Sequence, residues 1–305
     1  MPHRPVILGG PTAAGKTAAS LAIAERLDAV VVSADAMQVY RGLDIGTGKA
    51  TPAERARVPH FAIDVVGIDE AFDATDFVAI ADDVLATHER VVVVGGTSLY
   101  LRGLIRGFVR TPPVDPALRA EVEALPDLHG ELQRVDPPLA ARLHPNDRVR
   151  LVRGVEVFRA TGQRLSALQQ AHAEAPDRLQ ALALWLDRPD LDARIDRRVE
   201  AMMEEGYLEE VRGVLEAGYS RQLKPLQSLG YRHLCAHLLD GVPLEEAVRC
   251  TQRDTRRFAR KQRTWQNTLS FQPLEATGID AIVRQAEAWW SPASGQSAAE
   301  RPSVT

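Results

Sequence analysis

Short apolar runs alternate with longer helical patterns over the first hundred residues of the chain. Residues 5–8, 29–33 and 91–94 are runs rich in Val, Ile and Leu, and residues 16–27 show an Ala- and Leu-rich helical pattern. Near-continuous apolar runs separated by helices are typical of a parallel sheet that is covered on both faces. The pattern therefore predicts an α/β fold with a parallel sheet at its centre.

The pattern changes after Gly107. Prolines at positions 112, 113 and 116 interrupt it, and helical periodicity without a convincing strand continues to residue 176. One more apolar run follows at residues 181–186, and only helices are predicted after it. We predict a core of residues 1–112 and 178–290, an all-helical insertion domain at 113–177, and an unstructured, small and polar tail at 291–305.

Composition and the chain start indicate the setting in which the protein works. The two cysteines, Cys235 and Cys250, are too few for a disulfide framework and show no metal-ligand spacing. No apolar run approaches the ~20 residues needed to cross a bilayer, and the first strand follows the N-terminus too closely for a signal peptide. We expect a soluble, cytoplasmic protein that has no membrane partner and acts as a monomer.

A phosphate-binding motif lies between the first predicted strand and the first predicted helix. The segment that matches G-x-x-x-x-G-K-[ST] is Gly10-Pro11-Thr12-Ala13-Ala14-Gly15-Lys16-Thr17. Backbone N–H groups of such a loop close around phosphate oxygens at a helix N-terminus. Lys16 adds a positive charge, and the Thr17 hydroxyl would hold Mg²⁺. The motif predicts a P-loop NTPase-like core, a phosphate-containing ligand and a Mg²⁺ cofactor.

The residues alone leave the kind of phosphate chemistry open. P-loop NTPases carry a second apolar strand that ends in an acidic residue, which helps to hold Mg²⁺. Here the run at 91–94 is followed by Gly-Gly-Thr at 95–97. Asp35, after the run at 30–34, is a candidate metal ligand or general base. Asp64 is a further candidate, with a loop-capping role as its alternative.

Beyond the phosphate loop, a series of motifs runs in order along the chain. They are residues 33–47, residues 95–101, His144-Pro145-Asn146-Asp147, Arg150, Arg153, Glu156, Thr161-Gly162, Gly230-Tyr231-Arg232 and residues 260–265. Together with the loop they resemble the bacterial tRNA dimethylallyltransferases from residue 5 to about residue 270. The chain departs from the family pattern around His60 and Gln227, so no role is assigned to either.

The resemblance implies a reaction and a set of catalytic residues. The family joins N6 of an adenine next to the tRNA anticodon to C1 of dimethylallyl diphosphate, and diphosphate leaves. By resemblance Asp35 is the general base, while Thr97, Lys16 and Arg119 act at the diphosphate. Alternatives stay open: Mg²⁺ binding or helix capping for Asp35, helix capping for Thr97, and a surface ion pair for Arg119.

The resemblance also implies contacts with tRNA and with its anticodon stem-loop. The residues expected there are Asp35, Ala36, Met37, Gln38, Gln163 and Arg164. The amide of Gln38 suits bidentate pairing with a base edge. The target adenine must leave its stack to reach Asp35, and an insertion domain that closes over the anticodon loop would suit this step. Arg150 and Arg153 can pair with Glu156 and are interpreted as structural.

A basic segment near the C-terminus provides a separate test of the RNA partner. The net charge of −4 and the pI near 6.1 speak mildly against nucleic acid. Residues 249–263, however, hold seven basic residues and one acid, a local charge of +6. On a helix, positions 249, 253, 256, 260 and 263 share an arc of about 80°. We predict that Arg253, Arg256 and Arg260 contact RNA, and that Phe258 and Trp265, on the opposite side, are buried.

Two other functions share parts of this pattern. An enzyme that prenylates free adenine nucleotides would have the P-loop and Asp35 but no need of basic surfaces. A small-molecule kinase would use the P-loop for ATP and would need lid arginines and a phosphoryl acceptor site. The reading that the whole pattern favours is transfer of a dimethylallyl group to tRNA.

Overall fold

The structure, a computed structural model, describes residues 4–113, 115–266, 269, 271–275 and 278–291. The chain divides into a core unit, residues 1–105 with 179–305, and a helical unit, residues 106–178. The sequence places the insertion at 113–177, a narrower range. The predicted tail lies outside the described residues except for Ser291. Within the described ranges, no helix is both long and apolar enough to cross a bilayer.

A six-stranded sheet forms the centre of the core unit. Its strands are β1 (Val6–Gly9), β2 (Val30–Ser33), β3 (His60–Phe61), β4 (Val91–Gly95), β5 (Leu182–Asp187) and β6 (Gln272–Glu275). Their order is β3-β2-β4-β1-β5-β6, and every neighbouring pair is parallel. The apolar runs in the sequence form the four central strands, because those strands are covered on both faces. The predicted parallel α/β fold is confirmed.

The sequence pattern did not predict the two edge strands, β3 and β6. Strand β3 has two residues, too few to give a pattern, and β6 begins with Gln272 and Pro273. A proline lacks the N–H that a central strand needs, so Pro273 is compatible with an edge strand only. The prediction of helices alone after β5 is therefore wrong at β6.

Helices account for most of the remaining described residues. The first four are α1 (Lys16–Leu27), α2 (Pro52–Arg57), α3 (Ala74–Thr87) and α4 (Ser98–Arg106). The helical unit contains α5 (Pro116–Glu123), α6 (Leu128–Val135), α7 (Pro137–Ala140), α8 (Arg148–Thr161) and α9 (Leu165–Glu174). The core unit continues with α10 (Leu191–Glu204), α11 (Tyr207–Glu216), a 3₁₀ turn (Lys224–Gln227), α12 (Tyr231–Asp240), α13 (Leu244–Thr264) and α14 (Ile279–Trp290).

Each unit has its own hydrophobic core. In the core unit, buried side chains of the sheet pack with α1, α10 and α14, as Ile23, Ile195 and Ile282 illustrate. In the helical unit, α6 and α8 contribute fully buried side chains such as Leu132 and Val155. No strand occurs among the described residues of the helical unit, in agreement with the sequence pattern. A separate core in each unit is the physical basis for treating them as two domains.

Candidate active site

The phosphate loop connects β1 to α1 and has the backbone of an anion cradle. Gly15 precedes α1 with φ +97°, in the left-handed region that glycine adopts without strain. Glycine is required at position 10 for a steric reason, since a Cβ there would overlap the backbone carbonyl of Leu186. The first N–H groups of α1 have no partner within the helix and point outward at its positive end. The loop can therefore bind a phosphate or diphosphate group.

Lys16 lies inside this loop. Its ammonium group donates to the carbonyl oxygens of Gly10, at 2.9 Å, and Pro11, at 2.7 Å. Burial lowers the pKa of Lys16 to about 8; the negative charge of Asp35 opposes this shift, and the positive charge of Arg198 adds to it. Lys16 and Asp35, predicted to act together, are thus close enough to interact electrostatically.

Asp35 and Thr97 are brought together where β2 and β4 end. The Asp35 carboxylate accepts from the Met37 amide at 2.9 Å, and the Thr97 hydroxyl accepts from the Ala36 amide at 3.0 Å. The Thr97 amide donates back to the Ala34 carbonyl at 3.2 Å. Gly95 permits this close approach, because a Cβ there would overlap Ala34. The carboxyl edge of a parallel sheet is where α/β folds bind ligands.

Two arginines of α10 join this group, and the sequence analysis missed both. Arg194 donates to the carbonyl of Ala13 in the phosphate loop at 3.0 Å. Arg198, one helical turn later, interacts electrostatically with Asp35 and with Lys16. Their spacing of four residues, on the helix directly after β5, was the available signal because it puts both on one helix face. Both can neutralise charge on a bound diphosphate.

A single cavity of about 1260 Å³ collects these groups. Its lining includes residues 12, 13, 15–17 and 35–38, Thr97, Arg194 and Arg198, and one face of α13. Ligand sites typically measure about 300–1,000 Å³, so this cavity has room for a diphosphate ester and a nucleobase together. His60 and Gln227, to which no role was assigned, also lie on its wall.

Gln38 has its amide fully engaged by the protein. Its side-chain oxygen accepts from the Ser33 hydroxyl at 2.7 Å, and its nitrogen donates to the carbonyls of Thr47 and Gly48, at 3.3 and 3.2 Å. Pairing of this amide with a base edge would require it to leave these partners. The predicted contact between Gln38 and the target nucleotide stays a prediction.

The basic stripe on α13 differs from the one-sign surface that the sequence suggests. Arg260 pairs with Asp192 at 2.9 Å and Arg256 pairs with Asp196, both acids lying on α10. Arg253 pairs with its neighbour Asp254 at 2.9 Å. Because the acids of α10 are distant in sequence, inspection of α13 alone could not reveal them. Contact of these three arginines with RNA stays a prediction.

The opposite face of α13 is the one that lines the cavity. Phe258 and Trp265 are 42% and 37% exposed, so the prediction that both are buried is wrong. Arg257 and Lys261 lie on the same cavity wall. Aromatic rings beside cations are the groups on which proteins stack and hold unpaired bases.

The remaining predicted residues have clear local surroundings. Arg119 pairs with Glu123 of the same helix at 3.0 Å, as the surface-pair alternative proposed. Gln163 and Arg164 are exposed and lie between the C-cap of α8, Gly162, and the start of α9. Asp64 is held by Lys49 and Arg55, at 2.6 Å each, in a loop-anchoring role. The roles of Arg119, Gln163 and Arg164 in catalysis or tRNA binding stay predictions.

A magnesium ion has oxygen ligands available at the phosphate loop. Thr17 is exposed at the start of α1 and, like Asp35, lines the cavity. Among the described residues there is no group of three or more His, Cys, Asp or Glu side chains that could hold a metal by themselves. Mg²⁺ commonly binds through one or two protein oxygens together with substrate phosphates and water. The Thr17 hydroxyl and the Asp35 carboxylate fit that mode.

A parallel sheet, a phosphate loop at its carboxyl edge and a carboxylate facing that loop define an enzyme of the P-loop class that works on a phosphate ester. The family described as IPP transferase matches residues 38–268. The chain belongs to this family.

Similar proteins extend over nearly the whole chain. The tRNA dimethylallyltransferase of Syntrophobacter fumaroxidans is 49% identical over 272 residues, which cover 85% of this chain and 80% of the relative. That of Geobacter metallireducens is 48% identical and covers 86% of this chain and 89% of the relative.

Solved structures are similar as well. The tRNA isopentenylpyrophosphate transferase of Bacillus halodurans has a TM-score of 0.69 and 32% identity, covering 94% of this chain and 97% of its own. A eukaryotic dimethylallyltransferase acting on tRNA has a TM-score of 0.79 and 26% identity, covering 91% of this chain and 75% of its own.

Proposed function

We propose that this enzyme transfers the dimethylallyl group of dimethylallyl diphosphate to N6 of the adenine next to the tRNA anticodon. The observation that carries the proposal is the position of Asp35, beside a diphosphate cradle and on the wall of a cavity with room for a base. A bond forms between N6 and C1 while the bond between C1 and oxygen breaks. The bonding electrons leave with diphosphate.

Asp35 acts as the general base in this proposal. An exocyclic adenine amine is a weak nucleophile because its lone pair is delocalised into the ring. A carboxylate that takes the N6 proton as the new bond forms typically contributes ~10²–10⁴-fold in rate. The Met37 amide donates to one carboxylate oxygen at 2.9 Å and so orients the group. The other carboxylate oxygen takes the N6 proton.

The phosphate loop holds a leaving group. The Thr12 and Ala14 amides donate to Gln262 and to the Pro11 carbonyl. The other backbone N–H groups of the phosphate loop, together with Lys16 and the two α10 arginines, stabilise the negative charge that develops on the departing diphosphate. The Thr17 hydroxyl would hold Mg²⁺, which would supply further stabilisation of this negative charge. Thr97 completes the wall next to the reacting carbon.

tRNA reaches this cavity along α13 in the proposal. Arg257 and Lys261 provide charge for the RNA backbone, and Phe258 and Trp265 provide rings for unpaired bases. The predicted contacts at Arg253, Arg256, Arg260, Gln163 and Arg164 extend the same surface. We place the enzyme in the cytoplasm, where it meets tRNA, and propose that it acts as a monomer since one chain supplies cradle, base and basic helix.

The test incubates the purified protein with Mg²⁺, radiolabelled dimethylallyl diphosphate and unmodified tRNA, next to parallel reactions with AMP and with Asp35→Ala. Label in tRNA that disappears in Asp35→Ala is the expected result. Label in AMP would make the protein a nucleotide prenyltransferase. No label in either, together with transfer from ATP, would make it a kinase.

A further inference from the structure

Glu210, in the first turn of α11, holds a loop that belongs to another part of the chain. One carboxylate oxygen accepts from the amides of Asp44 and Ile45, both at 2.7 Å. The other accepts from the amide of Gly46 at 3.0 Å and from the hydroxyl of Tyr231 at 2.6 Å. Four donors thus converge on one half-buried carboxylate.

Three successive backbone amides that point to one place form an anion-binding nest. A carboxylate suits this nest because both of its oxygens only accept. Burial raises the pKa of Tyr231 well above its ordinary value, so its hydroxyl keeps the proton that it donates. The Glu210 carboxylate is therefore the anion that holds the backbone amides of residues 44–46 in this nest.

The end of this loop supports two residues of the cavity wall. The carbonyls of Thr47 and Gly48 accept from the amide of Gln38, at 3.3 and 3.2 Å. The guanidinium group of Arg198 lies against Gly48 so closely that a Cβ at this position would overlap it. The conformation of residues 44–48 thus sets where Gln38 and Arg198 lie.

We propose that Glu210 is a positioning residue for the transfer reaction, which acts by holding residues 44–48 in the form that orients Gln38 and Arg198. Glu210 itself touches no reacting atom in this proposal. The inference rests on the proposed function. Activity of the wild-type protein on tRNA tests that function first, so that a failure of the inference is recognised separately.

The experiment compares Glu210→Ala, Glu210→Gln and Tyr231→Phe with Glu209→Ala. Glu209 is the matched control, because it lies in the same helical turn and its carboxylate forms a surface ion pair with Arg212 at 3.1 Å. We expect kcat/KM for tRNA to fall about 100-fold, 10-fold and 3-fold in the three variants, in line with the number of hydrogen bonds to the Glu210 carboxylate that each variant loses. Glu209→Ala should stay within about twofold of wild type.

Recovery of kcat by added acetate distinguishes a positioning role of Glu210 from a role in folding alone. In Glu210→Ala, acetate can occupy the empty nest, so kcat should recover in a saturable way with acetate but not with acetamide or with chloride of equal ionic strength. Activity is measured well below the unfolding temperature of each variant and scaled to the folded fraction from circular dichroism. Wild-type activity in Glu210→Ala, or equal effects of acetate and acetamide, would overturn the proposal.

Glu210→Ala could fail to fold, in which case the two milder variants decide. Glu210→Gln keeps one acceptor oxygen for the amides of Asp44 and Ile45 but places an NH₂ group opposite Gly46. Tyr231→Phe removes a single donor. Folded Glu210→Gln and Tyr231→Phe proteins with unchanged kcat/KM for tRNA would refute the positioning role.

Discussion

At the scale of single residues, Lys16 shows how the fold prepares a charged group for its ligand. Its ammonium group is held by two loop carbonyls, and removal from water lowers its pKa to about 8 in spite of the nearby Asp35. A diphosphate brings negative charge to the same place and favours the protonated amine. The ligand is therefore expected to bind the protonated form of Lys16.

The pH dependence of diphosphate binding follows from this. Below pH 8 Lys16 is mostly protonated, and affinity for dimethylallyl diphosphate should be constant. Above pH 8 the amine loses its proton, so Kd should rise about tenfold per pH unit. Calorimetric titration from pH 6.5 to 9.5 at saturating Mg²⁺ measures it. Lys16→Arg should bind without this break; a break that persists in Lys16→Arg would assign the titration to another group.

At the scale of elements, α13 connects the cavity wall to the phosphate loop. Gln262 of α13 accepts from the Thr12 amide at 2.9 Å and donates to the Gly96 carbonyl at 3.0 Å. Its side chain is nearly completely buried. One amide therefore fixes the spacing between the phosphate loop and the turn that carries Thr97.

Substitution of this glutamine should affect both stability and diphosphate binding. Gln262→Leu removes two hydrogen bonds, those to the half-buried Thr12 amide and Gly96 carbonyl, and the free energy of unfolding should fall by about 1–3 kcal/mol. Kd for dimethylallyl diphosphate should rise about tenfold as the loop loses its support. Denaturant unfolding and calorimetry measure the two effects. Gln252→Leu, on the same helix, is the control; equal loss of affinity there would argue against a specific clamp.

The two faces of α13 also show what a sequence can and cannot predict. Its helical periodicity and its basic character follow directly from residues 249–263. Which face meets the cavity depends on packing against α10, whose Asp192 and Asp196 neutralise the stripe. Ion pairs between segments that are distant in sequence leave no local pattern. The sequence of α13 alone therefore predicted a purely basic surface and not the acids that pair with it.

Charge removal on the cavity face should reveal itself in the salt dependence of tRNA binding. Arg257→Ala and Lys261→Ala should each weaken tRNA binding and reduce the slope of log Kd against log salt by about one. Arg212→Ala, away from α13, serves as the control for a surface arginine. Filter binding between 50 and 300 mM KCl is the measurement, and unchanged slopes in both variants would move the RNA surface elsewhere.

At the scale of the whole molecule, the sequence predicted the parts that depend on burial and on local motifs. The four central strands, the phosphate loop and the position of Asp35 after β2 all follow from short stretches of sequence. The edge strands β3 and β6 and the two α10 arginines do not, because their places depend on which segments pack together in three dimensions. Resemblance to a family supplied the chemistry that the pattern left open.

The division into two units predicts that the core unit can fold without the helical unit. The core unit ends at Ile105 and resumes at Leu179, and the Leu179 amide donates to the Ile105 carbonyl at 3.2 Å. Because these ends are hydrogen-bonded neighbours, a short Gly-Ser linker can replace residues 106–178 without stretching the core. Each unit has its own hydrophobic core, so we expect the shortened protein to fold.

The shortened protein should bind tRNA at least about tenfold more weakly, since it lacks the predicted contacts at Gln163 and Arg164. Its Kd for dimethylallyl diphosphate should match that of Arg119→Ala in the full chain, because Arg119 is the residue of the helical unit predicted to face the diphosphate. Calorimetry and filter binding compare the two proteins. Wild-type tRNA affinity after the replacement would show that the core unit alone recognises tRNA, and would remove the reason to expect closure of the helical unit over the anticodon loop.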